Sequence, residues 1–118
     1  MALHKGSCHC GKVAYEVETN LAQVIACNCS ICQRNGYLLT FVPRGALNVI
    51  RGEENLSTYT FNTHTIQHRF CSTCGTSTFG EGKQPTGEAM AAINVRCLET
   101  VDLSDIKPVP FNGREARG

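Results

Sequence analysis

Four of the eight cysteines form two close pairs that lie far apart in the sequence. Cys8 and Cys10 belong to "SCHCG", whereas Cys71 and Cys74 belong to "FCSTCG", in which Gly75 permits a tight turn. If Cys8 and Cys10 lie on an extended strand, their side chains share one face and can reach one zinc at about 2.3 Å. The two pairs therefore predict a closed, four-thiolate structural zinc that ties the start of the chain to a distant turn and stabilises the fold.

Composition and charge restrict the classes to which the chain can belong. The 118 residues include 11 basic and 10 acidic side chains, and the net charge of +1 is not typical of a nucleic-acid-binding protein. No apolar segment approaches the roughly 20 residues of a membrane span, and no secretory signal is evident. We therefore expect a cytoplasmic protein without nucleic-acid or membrane partners. In that reducing compartment, clustered cysteines favour metal ligands or reactive thiols, while buried free cysteines or disulfides remain alternatives.

A second cysteine cluster, "CNCSIC", stops at three members. Cys27 and Cys29 can chelate from one face, and Cys32 follows at C-x-x-C spacing, near the start of a predicted helical turn. The positive end of that helix is expected to stabilise a Cys32 thiolate. Three thiolates can hold zinc and leave its fourth position open, as in catalytic zinc sites. The open position would accept a substrate thiol or polarise a carbonyl group.

The remaining cysteine, Cys97, leaves other interpretations open. It could close the site as a fourth ligand and so create a second structural zinc. We favour a small apolar residue at a strand end, because nothing near Cys97 has ligand spacing. In a third interpretation no metal binds, and Cys27, Cys29 and Cys32 are redox thiols.

Short strand signals, separated mostly by glycine or asparagine, dominate the chain. They cover residues 13–18, 23–27, 37–43, 47–52, 56–61, 65–71, 76–81 and 88–95. The best helical segment is one or two turns from Ser30, as N-cap, to Gly36, as the C-terminal stop. We predict an all-β fold with this one short helical turn, forming a single zinc-binding domain over residues 1–118, with a polar, frayed tail at 113–118.

Four segments give the chain a family resemblance when they are considered together. In order, they are "GSCHCGKVAYEV", "CNCSICQRNG", "HRFCSTCGTSTF" and "NVRCLE". This pattern resembles the glutathione-dependent formaldehyde-activating enzyme family, which includes relatives of centromere protein V. The resemblance extends over residues 5–114, and "KPVPFNGR" is similar to the closing segment of the family, with Asn112 where aspartate is frequent.

The resemblance implies a fold, two metal sites and an activity. The implied fold is a β-tent of short, coiled antiparallel sheets. One implied zinc is structural and the other is catalytic. The structural ligands would be Cys8, Cys10, Cys71 and Cys74, and the catalytic ligands would be Cys27, Cys29 and Cys32. The implied reaction condenses formaldehyde with glutathione to S-hydroxymethylglutathione, which is a carbon–sulfur lyase reaction in reverse.

Three polar residues are candidates for substrate binding. Arg34 follows the "CNCSIC" segment, and Arg96 precedes Cys97. Either arginine could pair with a carboxylate of a glutathione-like ligand, although a solvated or structural role is the commoner one. Asn94 could hydrogen-bond to a substrate or end a strand.

Histidines and one late glycine receive weaker assignments. His9 lies between two proposed ligands and should point away from the metal if the segment is a strand. His64 and His68 could act as proton shuttles, but ordinary strand or surface histidines are favoured. Gly113 is expected to serve a turn.

The leading hypothesis from the sequence is a zinc-dependent carbon–sulfur lyase-type enzyme. Its partners would be a small-molecule thiol similar to glutathione and a small aldehyde such as formaldehyde. The alternatives are a non-catalytic zinc-binding interaction module and a thiol redox or metal-buffering protein. Family membership implies a reaction class rather than one substrate, and the sequence does not indicate an oligomeric state.

Overall fold

The computed structural model describes residues 2–61 and 63–116, and strands dominate these two ranges. Two short α-helices and four 3-10 turns complete the described elements. The strands are β1 (Ala2–Ser7), β2 (Ala14–Thr19), β3 (Ile25–Cys27), β4 (Leu39–Pro43), β5 (Leu47–Arg51), β6 (Leu56–Tyr59), β7 (Gln67–Cys71), β8 (Ser77–Lys83), β9 (Ala89–Asn94) and β10 (Val109–Phe111). The helices are α1 (Ser30–Asn35) and α2 (Gly113–Ala116), and the 3-10 turns are Arg44–Ala46, Glu53–Asn55, Val95–Cys97 and Leu103–Asp105. The predicted all-β class is therefore confirmed.

The strands form two sheets of different size. A three-stranded antiparallel sheet has the order β1-β2-β5. A seven-stranded sheet has the order β10-β3-β4-β9-β8-β7-β6. Its strand pairs are antiparallel except for β10 and β3, which are parallel, with Phe111 opposite Cys27. The expectation of purely antiparallel sheets is wrong for this one pair, because β10, the last strand in the sequence, runs beside β3 in the same direction.

The terminal strands β1 and β10 were not predicted from the sequence, for a physical reason. Most residues of β1 are half or fully exposed, and all three residues of β10 are exposed. Neither strand therefore shows the alternating apolar pattern on which strand prediction depends. At residues 113–116 the predicted frayed tail is the short helix α2, while residues 117 and 118 lie outside the described ranges.

The main core lies between the two sheets and contains aliphatic, aromatic and cysteine side chains. Tyr15 of β2 is fully buried, and its ring meets that of Phe79 on β8 edge to face at 5.4 Å. Val17 of β2 and Val13, which directly precedes β2, are buried on either side of Tyr15, and Ile93 of β9 belongs to the same cluster. Alternation on β2 therefore directs one face of the small sheet onto the large sheet.

Helix α1 is close to the helical turn that the sequence predicts. Cys29, rather than Ser30, is the N-cap residue, and Ser30 is the first helical residue. The helix ends at Gly36, which has a left-handed conformation and donates its backbone N–H to the carbonyl oxygen of Cys32 at 2.9 Å. Across the described ranges, no helix is long and apolar enough to cross a membrane.

Gly52 joins the small sheet to the next turn at a very close backbone contact. Its φ angle is +83°, and a β-carbon there would lie 2.0 Å from the carbonyl oxygen of Lys12. We expect Gly52→Ala to lower the free energy of unfolding by about 2 kcal/mol or more, because it adds both backbone strain and a clash. Urea unfolding would measure the change.

Gly45→Ala is the matched control, because a β-carbon at Gly45 would meet nothing within 4 Å. We expect its effect to stay within about 0.5 kcal/mol. Equal midpoints for the two variants would contradict the close contact at Gly52.

Candidate functional site

The four paired cysteines form one thiol group. The sulfur atoms of Cys8, Cys10, Cys71 and Cys74 all lie within 4.8 Å of one another. The Sγ atoms of Cys8 and Cys10 are 3.6 Å apart, and those of Cys10 and Cys71 are 3.7 Å apart. Tetrahedral zinc with sulfur ligands at about 2.3 Å requires a sulfur–sulfur separation of about 3.8 Å. The four-cysteine group can therefore hold a metal ion, and its geometry is compatible with zinc.

Turns, rather than strands, position these thiols. Cys8 and Cys10 lie in the turn between β1 and β2, so the extended strand expected for this pair, and for His9 between them, is wrong. A C-x-C pair can thus converge on one point through a turn. Cys71 ends β7, and Cys74 belongs to the turn that leads into β8.

Hydrogen-bond donors surround the sulfur atoms of this group. The backbone N–H of Val13 donates to Cys8 Sγ at 3.3 Å, and Asn55 Nδ2 donates to Cys71 Sγ at 3.2 Å. The hydroxyl and the backbone N–H of Thr76 lower the pKa of Cys74 to about 5. Such donors stabilise thiolates, which are the form in which cysteine binds metal.

The second thiol group contains Cys27, Cys29 and Cys32, whose sulfur atoms also lie within 4.8 Å of one another. Cys27 ends β3, Cys29 caps α1, and Cys32 lies in the first turn of α1. Cys29 and Cys32 are buried, and Cys27 Sγ accepts a hydrogen bond from the backbone N–H of Cys29 at 3.4 Å. The short path from strand to helix thus brings three thiols together.

The expected stabilisation of a Cys32 thiolate by the start of α1 stays a prediction. Burial raises the pKa of Cys32, and hydrogen bonds with the Cys29 and Cys27 thiols raise it further. Thiolates at the buried Cys29 and Cys32 would need a compensating cation, and the three-thiol donor set fits a thiophilic metal such as zinc.

Cys97 lies outside both thiol groups. It ends a 3-10 turn, and its Sγ contacts the Ser77 carbonyl oxygen at 3.6 Å and Asn94 Nδ2 at 3.7 Å. Burial raises the pKa of Cys97 to about 11. In the described parts of the chain, no fourth histidine, cysteine, aspartate or glutamate joins Cys27, Cys29 and Cys32. This placement agrees with a small, partly buried residue rather than a fourth ligand. All eight cysteines lie within the described ranges, and each is a free thiol.

The C-terminal segment packs directly on the three-cysteine group, which sequence reasoning missed. The backbone N–H of Asn28 donates to the Phe111 carbonyl oxygen at 3.2 Å, and Asn28 Nδ2 donates to Asn112 Oδ1 at 3.0 Å. A β-carbon at Gly113 would lie 2.3 Å from Cys27 Sγ. Gly113 therefore begins α2 at a close contact instead of serving a turn. The one available signal was the "KPVPFNGR" segment, since nothing local indicates this contact.

An open cleft of about 660 Å³ lies beside the three-cysteine group. A neighbouring cavity of about 50 Å³ is lined in part by Cys29 and Cys32. Ile31, Tyr37 and His68 line both spaces. The large cleft is within the size range of small-molecule sites, about 300–1,000 Å³, and the smaller cavity, which shares part of its wall, reaches Cys29 and Cys32.

The three candidate substrate-binding residues have different surroundings in the structure. Arg34 lines the cleft and donates from Nη1 to the Ser30 carbonyl oxygen at 3.0 Å. Arg96 donates from Nε to the Gly36 carbonyl oxygen at 2.6 Å, beyond the end of α1. Asn94 is buried beside the small cavity, where its side chain accepts a hydrogen bond from the Arg96 backbone N–H at 3.2 Å. Arg34 is thus the candidate best placed to meet a ligand in the cleft.

The two candidate proton shuttles also have different surroundings. His64 lies in a loop, where its Nδ1 forms a hydrogen bond with the Thr60 hydroxyl at 2.8 Å. His68 lies on β7, where its ring stacks on Phe61 at a centroid distance of 5.4 Å. Tyr37 faces the same spaces as His68, its hydroxyl contacts that of Ser77, and burial raises its pKa. Among the described residues, Tyr37 and His68 are the polar side chains that line both spaces.

Comparison with known proteins identifies the family and finds a similar structure. The sequence profile of the family named "Glutathione-dependent formaldehyde-activating enzyme" matches residues 3–110. The chain belongs to the glutathione-dependent formaldehyde-activating enzyme family. A crystal structure of a Rhodobacter sphaeroides protein, a structural-genomics target, has 39% sequence identity to the chain. The match covers 92% of this chain and 99% of that one, with a TM-score of 0.80. The family resemblance found in the sequence is thus confirmed.

The two thiol groups and Cys97 generate a prediction about metal content. If each thiol group binds one zinc, Cys29→Ala should lower the zinc content by one ion per chain, because it leaves two of the three thiols in its group. Cys97→Ala should leave the zinc content unchanged and cost about 1 kcal/mol of stability, because the Cys97 sulfur lies outside both groups. Native mass spectrometry would count the zinc ions. Loss of one zinc in Cys97→Ala would contradict the separate placement of Cys97.

The contact between Gly113 and Cys27 generates a second metal prediction. A methyl group at Gly113 would displace Cys27 Sγ, so Gly113→Ala should weaken zinc binding to the three-cysteine group roughly 10- to 100-fold. The four-cysteine group should keep its affinity. Competition with a chromogenic zinc chelator would resolve the two classes of site.

Gly45→Ala provides the control for a glycine-to-alanine change in open space. Unchanged zinc affinity in Gly113→Ala would show that the C-terminal segment does not constrain Cys27.

Proposed function

We propose that this chain is a zinc-dependent carbon–sulfur lyase-type enzyme. It would add a thiol such as glutathione to a small aldehyde such as formaldehyde, or catalyse the reverse reaction. The observation that carries the proposal is the three-cysteine group. It has no fourth protein ligand within the described ranges, and its Cys29 and Cys32 line the small cavity. Family membership supports the same pair of small molecules.

The proposed ligands fall into two sets with different tasks. Cys27, Cys29 and Cys32 would hold a catalytic zinc and would act as ligands rather than as nucleophiles. A zinc ion in such a site supplies a Lewis acid with one free position, which lowers the pKa of an incoming thiol. A structural zinc would be held by Cys8, Cys10, Cys71 and Cys74.

The reaction adds the thiol S–H across the carbonyl bond without any change in oxidation state. A bond forms between sulfur and the carbonyl carbon, and the proton that leaves sulfur reaches the carbonyl oxygen. Tyr37 and His68 line both spaces and would hold or move this proton. The cavity of about 50 Å³ beside Cys29 and Cys32 suits a very small carbonyl compound, whereas the larger cleft would hold the body of the other substrate.

Eight free thiols also support a reducing compartment such as the cytoplasm, which we include in the proposal. Two sets of closely spaced thiols would be prone to oxidation elsewhere.

The activity can be tested by a rate measurement on the zinc-loaded protein. Formaldehyde and glutathione combine spontaneously, so the enzyme would change the exchange rate and not the equilibrium. Two-dimensional exchange NMR with ¹³C-formaldehyde would measure that rate. We expect the wild type to accelerate exchange and Cys29→Ser to return it to the uncatalysed rate, because one proposed zinc ligand is lost.

Cys97→Ser is the control, since it replaces another cysteine, which is partly buried, by serine but leaves the three-cysteine group intact. It should retain the rate of the wild type. If zinc-loaded wild type does not accelerate exchange with glutathione or other thiols, the enzyme proposal fails, and a binding or metal-buffering role replaces it.

A further inference from the structure

One wall of the cleft is a stack of three rings. Tyr59, Phe61 and His68 line the cleft, and we refer to them as the aromatic ladder. The rings of Tyr59 and Phe61 have centroids 5.8 Å apart and an interplanar angle of 22°. Those of Phe61 and His68 are 5.4 Å apart at 23°. The three nearly parallel rings form a continuous array that a further planar ring can extend or cover.

The aromatic ladder is separate from the hydrophobic core. Tyr59 and His68 are directly opposite each other on the edge pair β6–β7, and Phe61 lies just beyond β6. Tyr59 is 52% exposed, and Phe61 is only partly buried. An exposed aromatic array beside a reactive group is typical of a ligand-binding surface rather than of core packing.

The charge in the cleft restricts the ligand further. Arg34 lines the cleft, and no aspartate or glutamate of the described ranges does so. One N–H of the Arg34 guanidinium bonds to the Ser30 carbonyl oxygen, and a guanidinium has five N–H groups. The cleft therefore offers a cation to a ligand carboxylate but no carboxylate to a ligand ammonium group. Glutathione has two carboxylates, one ammonium group and no planar ring, so it uses these features poorly.

We propose that the larger substrate of this cleft is a planar aromatic compound with one anionic group. Its ring would stack on the aromatic ladder, its anionic group would meet Arg34, and its reactive end would reach the three-cysteine group. This inference rests on the proposed function in one respect, namely that the reactive end is a thiol or an aldehyde. Either partner could contribute the ring, and the experiment separates the two sources.

Binding to the zinc-loaded full chain would be measured by isothermal titration calorimetry with matched pairs of probes. The thiol pair is 4-(mercaptomethyl)benzoate and 4-(mercaptomethyl)cyclohexanecarboxylate. The aldehyde pair is 4-(2-oxoethyl)benzoate and its cyclohexane counterpart. The members of each pair share charge, length and reactive group and differ in planarity. We expect the aromatic member of at least one pair to bind roughly two- to tenfold more tightly.

Variants assign that preference to the cleft. Phe61→Leu should remove the preference for the aromatic probe while changing the affinity for the cyclohexane probe little. Ile50→Val is the control, because Ile50 is a half-exposed apolar residue on β5 that lines neither the cleft nor the small cavity, and it should keep the preference. Arg34→Gln should weaken the binding of both members of a probe pair roughly two- to tenfold, because each member carries a carboxylate. Lys107→Gln, at an exposed position, should leave their binding unchanged.

Equal affinities within both pairs, or a preference that survives Phe61→Leu, would overturn the inference. Its failure is distinguishable from that of the proposed function. Accelerated glutathione exchange without an aromatic preference would remove the inference and keep the enzyme. An aromatic preference without any accelerated exchange would keep the subsite and remove the enzyme.

Discussion

The two sheets are tied together where the turn after β1 meets the turn after β7. Cys8 and Cys10 lie in the turn that joins two strands of the small sheet, and Cys71 and Cys74 lie at the end of β7 and in the turn that follows it in the large sheet. The four sulfur atoms lie within 4.8 Å of one another. A contact between such distant segments costs loop-closure entropy, which metal binding at this group would offset. The core around Tyr15 and Phe79 and the position of β7 both depend on this junction, and β7 carries one ring of the aromatic ladder.

Local spacing explains how much of the candidate site the sequence could predict. Cys27, Cys29 and Cys32 are close in the chain, so a strand end and one helical turn suffice to bring their sulfurs together. The placement of Gly113 on Cys27 depends on a strand pair that joins distant segments, and no local pattern encodes such a contact. The same limit applies to the ladder, since Tyr59 and His68 meet only after β6 and β7 pair. The all-β class was predictable because short strand signals separated by glycine or asparagine cover most of the chain, but the exposed edge strands β1 and β10 were not.

Different elements supply the thiols and the cleft wall. The three-cysteine group comes from β3 and α1, whereas the aromatic ladder comes from β6, β7 and the loop between them. Substitutions at Tyr59, Phe61 or His68 can therefore change the cleft wall without altering Cys27, Cys29 or Cys32. Tyr37 lies between the two parts, since it packs against Cys29 and Cys32 and also lines the cleft.

Because β10 pairs with β3, the two thiol groups can be completed at different times while the protein is being synthesised. The thiols of the four-cysteine group are all present once Cys74 has left the ribosome. The surroundings of Cys27 are incomplete until Phe111 and Gly113 follow, because both lie against that end of β3. A nascent chain can therefore assemble its sheet junction while the three-cysteine group is still uncovered on one side. The surroundings of Cys27, Cys29 and Cys32 can consequently be completed only after the four-cysteine group has all its members.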